Sequence, residues 1–143
     1  PNDVMLDGGK LSGILLEMVG CHVVVGIGVN LARAPVLPDR KTAALAVRGE
    51  VPDLESFARS LAAAFAVRLG EWRAEGLSVT LQRFIALSIH TPGSPLRVHD
   101  GEGDSVEGRF AGLETSDGAL RLRLADGSER VIRAGDIEQE EGA

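Results

Sequence analysis

The chain has 143 residues, of which 44% are hydrophobic and 25% are charged, values typical of globular domains rather than disordered segments. Its formal net charge of −6 and isoelectric point near 5.0 argue against a nucleic-acid partner, because a phosphate backbone is bound by a basic stripe. No apolar run approaches the roughly 20 residues of a membrane-spanning helix, and the single cysteine cannot form an internal disulfide. No membrane partner and a cytoplasmic location are therefore expected.

The N-terminal residues predict a β-hairpin. Residues 4–6 and 11–17 are apolar runs separated by Asp7-Gly8-Gly9, whose glycines can supply the positive φ angles of a tight turn. Asp3 precedes the first run and Lys10 follows the turn, so a hairpin would bring these two residues close together. Gly13 lies inside the second run, where a glycine usually marks a close approach of a ligand or another backbone.

A third predicted strand covers residues 22–29, which are rich in valine and do not alternate with polar residues. Such a pattern is typical of a strand covered on both faces. The strand ends at the polar residue Asn30. Residues 31–53 contain three prolines and predict a mobile loop, with a short helix at 42–47.

Two helices and a second domain follow. Apolar residues at three- and four-residue steps predict a helix through about Arg73, capped by Asp53 or Ser56, and a second helix capped by Ser78. The helix-hostile residues 90–95 predict a boundary between domains 1–91 and 92–143. Beyond it, strand-length segments separated by Asp-Gly turns predict a small barrel; they are residues 96–99, 106–114, 119–124 and 130–133.

Several kinds of site are not indicated by the residue spacing. The three histidines share no metal-ligand spacing, so no protein metal site is predicted. Gly26-x-Gly28 lacks the third glycine of a dinucleotide-binding fingerprint and is not followed by a helix. No Ser-His-Asp arrangement can be argued either.

Residues 1–31 carry a more specific pattern, in which Pro-Asn-Asp is followed by Lys-Leu-x-Gly-Ile-Leu and then by Gly-Ile-Gly-x-Asn. This pattern resembles the centre of the biotin protein ligases, while residues 32–143 agree with that family in organisation only. The resemblance implies an α+β fold. Its parts are a mixed-sheet catalytic domain of the class II synthetase-like type, incomplete here, and a small SH3-like β-barrel. The Lys-Trp that precedes Pro-Asn-Asp in the family is absent, so the chain is expected to be a C-terminal part of such an enzyme.

The resemblance also implies roles for individual residues. Lys10 would be catalytic and would reach both the carboxylate of biotin and the α-phosphate of the nucleotide. Asp3 would either hold metal-bound phosphate or orient the acceptor lysine amine, two roles that the sequence leaves open. Further binding roles follow for biotin at Gly13 and Ile14, and for the nucleotide at Asn2, Asp3 and Asn30.

The activity implied is that of a ligase that forms biotinyl-5′-adenylate from biotin and ATP with Mg²⁺. The biotin would then pass to a lysine of a biotin carboxyl-carrier protein domain, and a homodimer is a further implied option. The Gly/Arg-rich adenylate loop of the family lies upstream of the motif, so this chain by itself is expected to be inactive. Two alternatives stay open, namely a lipoate ligase-like adenylating enzyme and a non-catalytic binding module.

Overall fold

A computed structural model describes residues 2–99 and 105–138. The chain divides into two compact units, Pro1–Ala62 and Ala63–Ala143. Both contain β-sheet, and the two α-helices of the described residues lie between the sheets in sequence, which confirms the α+β class. The predicted domain boundary at 91/92 stays a prediction. In the described part of the chain, every helix is too short or too polar to cross a membrane.

The first unit contains a three-stranded antiparallel sheet in the order β1-β2-β3. Its strands are β1 (Asp3–Leu6), β2 (Gly9–Val19) and β3 (His22–Val29). The predicted hairpin is confirmed, but the positive φ angles fall at Asp7 and Gly8 instead of at the two glycines. Gly9 belongs to β2 and is constrained by space, because a Cβ there would lie 2.8 Å from the Thr42 carbonyl carbon.

The β1–β2 pairing contains a bulge. Val4 pairs with Ser12, whereas Met5 pairs with Lys10, so Leu11 is an extra residue in β2 without a direct partner in β1. A bulge of this kind places two successive side chains on the same side of the strand. The alternation of faces along β2 is therefore reversed between Lys10 and the residues that follow it.

The expectation that β3 is covered on both faces is wrong for the described residues. Val23 and Val24 point to opposite faces, and they remain 55% and 51% exposed. β3 is an edge strand of its sheet, with β2 as its hydrogen-bonded neighbour. A continuous run of valines therefore identified the strand correctly but not its surroundings.

Part of the segment after β3 is hydrogen-bonded to the sheet. Lys10 N–H donates to the Lys41 carbonyl and the Ala43 N–H donates to the Lys10 carbonyl, both at 2.9 Å, so residues 41–43 continue the ladder where β3 ends. A 3-10 helix follows at Leu45–Arg48, later than the predicted helix at 42–47. Because Ala44 is buried, the expectation of a mobile loop now applies to residues 32–40 only.

The two helices are α1 (Leu54–Glu75) and α2 (Leu77–Leu87). The Ser56 N–H donates to the Asp53 carboxylate at 3.0 Å, which selects Asp53 as the cap of α1. The predicted cap at Ser78 is wrong. Gly76 precedes α2 with a φ of 81° and no side-chain cap bond is present there, so the cap lies two residues earlier than the hydroxyl pattern indicated.

The second unit contains a five-stranded antiparallel sheet in the order β7-β6-β5-β4-β8. Its strands are β4 (Pro95–His99), β5 (Ser105–Leu113), β6 (Leu120–Arg123), β7 (Glu129–Ile132) and β8 (Asp136–Glu138). Four were predicted; β8 was missed because it has only three residues, two of them acidic. The turns at Asp117-Gly118 and Asp126-Gly127 carry positive φ at glycine, whereas the turn predicted at Asp100-Gly101 lies outside the described residues.

The core of the second unit lies on one face of this sheet. It consists of Leu96, Val98, Phe110, Leu122 and Ile132, with Ile85 of α2 packed against them. Within the described residues the outer strands β7 and β8 are not paired with each other. The sheet is therefore open there, and a closed barrel is not confirmed.

Candidate functional site

Lys10 and Asp3 form an ion pair at the end of the first sheet. The Lys10 Nζ lies 2.6 Å from Asp3 Oδ1, and the two side chains are 30% and 28% exposed. The predicted proximity of these residues is thus observed. Solvent reaches both charges, so the pair is open to an incoming ligand.

The bulge explains how Lys10 reaches Asp3. Asp3 pairs with Gly13, and directly paired residues of an antiparallel ladder share a face. In a regular strand, Lys10 and Gly13 would point to opposite faces because they are three residues apart. The extra residue at Leu11 reverses this alternation and brings the ammonium to the face of Asp3 and Gly13.

Gly13 provides the space for the lysine side chain. A Cβ at this position would lie 3.4 Å from Lys10 Cε and 3.5 Å from Nζ. The glycine at position 13 predicts a close neighbour. Within the described residues, that neighbour is the end of the Lys10 side chain.

Gly13 is also part of a bare area of the sheet, here called the glycine face, which consists of Gly13, Gly26, Gly28 and Leu15. Gly13 pairs with Gly28 and Leu15 pairs with Gly26, so all four lie on the face that carries Lys10. A Cβ at Gly28 would meet nothing closer than the Gly13 carbonyl oxygen at 4.0 Å. The glycine face is thus a flat, backbone-lined surface beside an ammonium group.

Gly13 and Ile14, which are both predicted to contact biotin, lie on opposite faces of the sheet, and three residues that share the face of Gly13 were not predicted. Ile14 pairs with Ile27, and strand alternation turns both toward the opposite face, away from Lys10. Leu15, Gly26 and Gly28 were not assigned to the site. A strict i, i+2 reading from Gly13 would have found Leu15, and the two-residue spacing of Gly26 and Gly28 would have placed both glycines on one face.

Asn30 lies where β3 ends and uses its side-chain amide internally. Its Nδ2 donates to the Lys10 carbonyl at 3.2 Å and to the Ala43 carbonyl at 3.0 Å. Two carbonyl partners require the NH₂ group at this position, which fixes the orientation of the amide. A ligand contact by this side chain would therefore have to use Oδ1.

Asn2 extends the β1–β2 ladder by one step. The Ile14 N–H donates to the Asn2 carbonyl at 2.8 Å, and the exposed Asn2 Nδ2 donates to the Ile14 carbonyl at 3.2 Å. The structure thus brings Asn2, Asp3 and Lys10 to the same end of the sheet.

The turn that precedes Lys10 is held by the segment after β3. Arg48 contacts the Asp7 carboxylate at 2.5 Å, and Lys41 Nζ donates to the Asp7 carbonyl at 2.8 Å. Asp7 has a φ of 51°, a conformation unusual for a non-glycine residue. These two contacts stabilise that turn.

The described residues offer little for a protein-bound metal. Over residues 2–99 and 105–138, no three His, Cys, Asp or Glu side chains cluster as a metal site. Mg²⁺ commonly binds through one or two carboxylates together with substrate phosphates and water. Asp3 is a carboxylate that fits this mode, although one of its oxygens already contacts Lys10.

Two surface depressions lie in the second unit, away from the predicted site residues in sequence. One of about 430 Å³ is lined by Arg97, Arg109 and Arg123 among others, and one of about 240 Å³ lies beside the Asp117–Arg133 ion pair. Neither includes a residue of the glycine face.

The known proteins to which this chain is similar are biotin protein ligases. Residues 92–138 match the family model described as the biotin protein ligase C terminal domain. The chain is 38% identical to a biotin--[acetyl-CoA-carboxylase] ligase of Paracoccus denitrificans and 35% identical to one of Mycobacterium tuberculosis, over 96% of its length in each case. It spans 60% and 50% of the lengths of these relatives.

The fold is similar to that of solved structures. The apo biotin protein ligase of Aquifex aeolicus matches 98% of this chain with a TM-score of 0.82 and 17% identity, and the chain covers 63% of it. The complex of that protein with biotin and ATP matches 96% of the chain with a TM-score of 0.80 and 20% identity, and 59% of it is covered. At these identities the likeness supports the fold.

Proposed function

Because this chain belongs to the biotin protein ligase family, we propose that it carries part of the site at which biotin and ATP react to biotinyl-5′-adenylate. The biotin then passes to a lysine of a biotin carboxyl-carrier protein. The chain spans 60% and 50% of the lengths of the two curated relatives, so the reaction is proposed for the whole protein.

The observation that carries the proposal is the Lys10 ammonium at the edge of an open, backbone-lined surface. Formation of an acyl adenylate brings a carboxylate to an α-phosphorus, so two anions approach each other and charge develops on the phosphoryl oxygens. A fixed cation offsets both charges, and such an interaction is strongest when the cation is already in place. The ion pair with Asp3 holds the ammonium there before the substrates bind.

Biotin lies on the glycine face in this proposal. The absence of Cβ atoms at Gly26 and Gly28 lets a flat ligand approach the backbone, and Leu15, which is 70% exposed, offers apolar contact to the valeryl chain. The side chain of Ile14, which the resemblance assigned to biotin, supports this surface from the opposite face instead.

The nucleotide contacts are assigned to Asn2, Asp3 and Asn30, the last through Oδ1. Asp3 has two alternative roles, and its contact with Lys10 is compatible with both. It either accepts a hydrogen bond from the acceptor lysine amine or faces the phosphates that bring Mg²⁺. When bound with the nucleotide, Mg²⁺ supplies further charge neutralisation at the phosphates.

Residues 92–143, which carry the sheet of the second unit, are proposed to form the SH3-like C-terminal domain. Its five short antiparallel strands and the family match over residues 92–138 support this assignment. A homodimer and a cytoplasmic location remain predictions for the whole protein.

The test is pyrophosphate release by the full-length gene product with ATP and either biotin or lipoate. Release with biotin and not with lipoate supports the proposal. Release with lipoate favours the lipoate ligase-like alternative, and no release with either ligand, together with no ATP binding, favours a non-catalytic binding module.

A further inference from the structure

Asn30 holds both residues of the bulge in β2. Its backbone N–H donates to the Leu11 carbonyl at 2.9 Å, and its side-chain Nδ2 donates to the Lys10 carbonyl at 3.2 Å. These two carbonyls belong to the residues that reverse the alternation of faces. Asn30 is itself fixed, because its carbonyl accepts the Leu45 N–H at 2.8 Å.

As a result, the main-chain N–H and carbonyl groups of Lys10 all have hydrogen-bond partners. Its N–H donates to the Lys41 carbonyl, and its carbonyl accepts both the Ala43 N–H and Asn30 Nδ2. A carbonyl oxygen has two lone pairs, so the Asn30 amide occupies the second one. The same amide joins the Ala43 carbonyl at 3.0 Å and thereby closes the gap between the end of β3 and residues 41–43.

We propose that Asn30 is a positioning residue that sets the place of the Lys10 ammonium by fixing the bulge through its Nδ2 group. This inference rests on the role proposed for Lys10 and adds to any nucleotide contact of Oδ1. A bulge without this brace can relax toward regular pairing, which turns Lys10 to the face opposite Asp3 and Gly13.

A double-mutant cycle on the full-length gene product tests whether Asn30 acts through Lys10. Asn30→Ala is expected to lower the rate constant of adenylate formation by about 10- to 100-fold, the size of effect that misplacing a reacting group by about 1 Å can have. In a Lys10→Ala background the same substitution should change the rate by less than about threefold, since residues that act as a unit are non-additive. A full effect in that background overturns the proposal.

Asn30→Asp distinguishes the role of the side-chain Oδ1 from that of Nδ2. It keeps an oxygen in place of Oδ1 but removes both donors, so the rate should be as low as with Asn30→Ala; a rate near that of the original protein refutes the brace. If Asn30→Ala does not fold, Asn30→Ser, whose hydroxyl can donate one hydrogen bond, replaces it in the cycle. The control is Gln82→Ala, which removes an exposed amide of α2 and should leave the rate unchanged.

A second readout does not depend on catalysis. Reductive ¹³C-methylation of the full-length gene product gives one side-chain NMR signal for each lysine, and the signals of Lys10 and Lys41, the two lysines of this sequence, are assigned by their loss in Lys10→Arg and Lys41→Arg. Asn30→Ala should move the Lys10 signal toward that of a solvated lysine and leave the Lys41 signal in place. An unchanged Lys10 signal overturns the inference even if the protein is an active ligase. A shifted signal in a protein that releases no pyrophosphate supports the positioning role while rejecting the proposed function.

Discussion

Substitution of Gly28 by alanine is expected to weaken ligand binding without destabilising the fold. The Cβ added at Gly28 would have as its nearest neighbour the Gly13 carbonyl oxygen at 4.0 Å, and Gly28 does not adopt a positive φ. The free energy of unfolding should therefore not fall, and it should rise by about 0.4–1 kcal/mol because alanine restricts the unfolded chain more than glycine does.

The same methyl group would stand on the glycine face, where biotin is proposed to lie against bare backbone. Displacing the ligand by the thickness of one carbon removes its closest contacts, and we expect the dissociation constant of biotin to rise at least about tenfold, or about 1.4 kcal/mol. Titration calorimetry with biotin and denaturant unfolding of the full-length gene product measure the two effects.

Gly70→Ala is the matched control. Gly70 lies within α1, has no neighbour within 4 Å of an added Cβ and has no positive φ, so the variant should gain a similar stability without any change in biotin affinity. Biotin binding by Gly28→Ala within about twofold of the original protein refutes the placement of the ligand on the glycine face. A fall in the free energy of unfolding of Gly28→Ala contradicts the inference that the space around Gly28 is open.

Three further predictions concern other parts of the chain. Lys10→Ala should slow adenylate formation by about 100- to 1,000-fold and lower the free energy of unfolding by less than about 1 kcal/mol, whereas Arg59→Ala on α1 should do neither; pyrophosphate release and denaturant midpoints decide this. Gly9→Ala should destabilise the protein by about 1–3 kcal/mol, since its Cβ would lie 2.8–2.9 Å from Thr42 main-chain atoms; an unchanged denaturant midpoint contradicts this. Burial lowers the pKa of His90 below its ordinary value of 6.5, so protonation favours the unfolded chain: the stability contribution is full above about pH 6.5 and is lost as the pH falls through the lower folded-state pKa. His90→Asn should flatten this pH dependence in unfolding titrations, and identical slopes for the two proteins would exclude it.

The sequence alone predicted the elements that depend on local spacing. The hairpin at Asp7-Gly8-Gly9, the strand over residues 22–29, a cap at Asp53 or Ser56 and four strands of the second unit follow from turn residues, apolar periodicity and short-range hydrogen bonding. The approach of Asp3 and Lys10 also followed, because a hairpin necessarily brings its flanking residues together. The family resemblance supplied the assignment of these residues to adenylate chemistry.

Only the tertiary structure decided which side chains share a face. The bulge at Leu11 depends on partners 19 to 33 residues away, namely Asn30 and residues 41–43, and no local pattern encodes it. Because side chains alternate with a period of two, a single extra residue moves Lys10 from one face to the other. The position of Lys10 on the same face as Gly13 could not be predicted from the sequence for this reason. Residue spacing determines which elements form, but the pairing between distant segments determines where their side chains point.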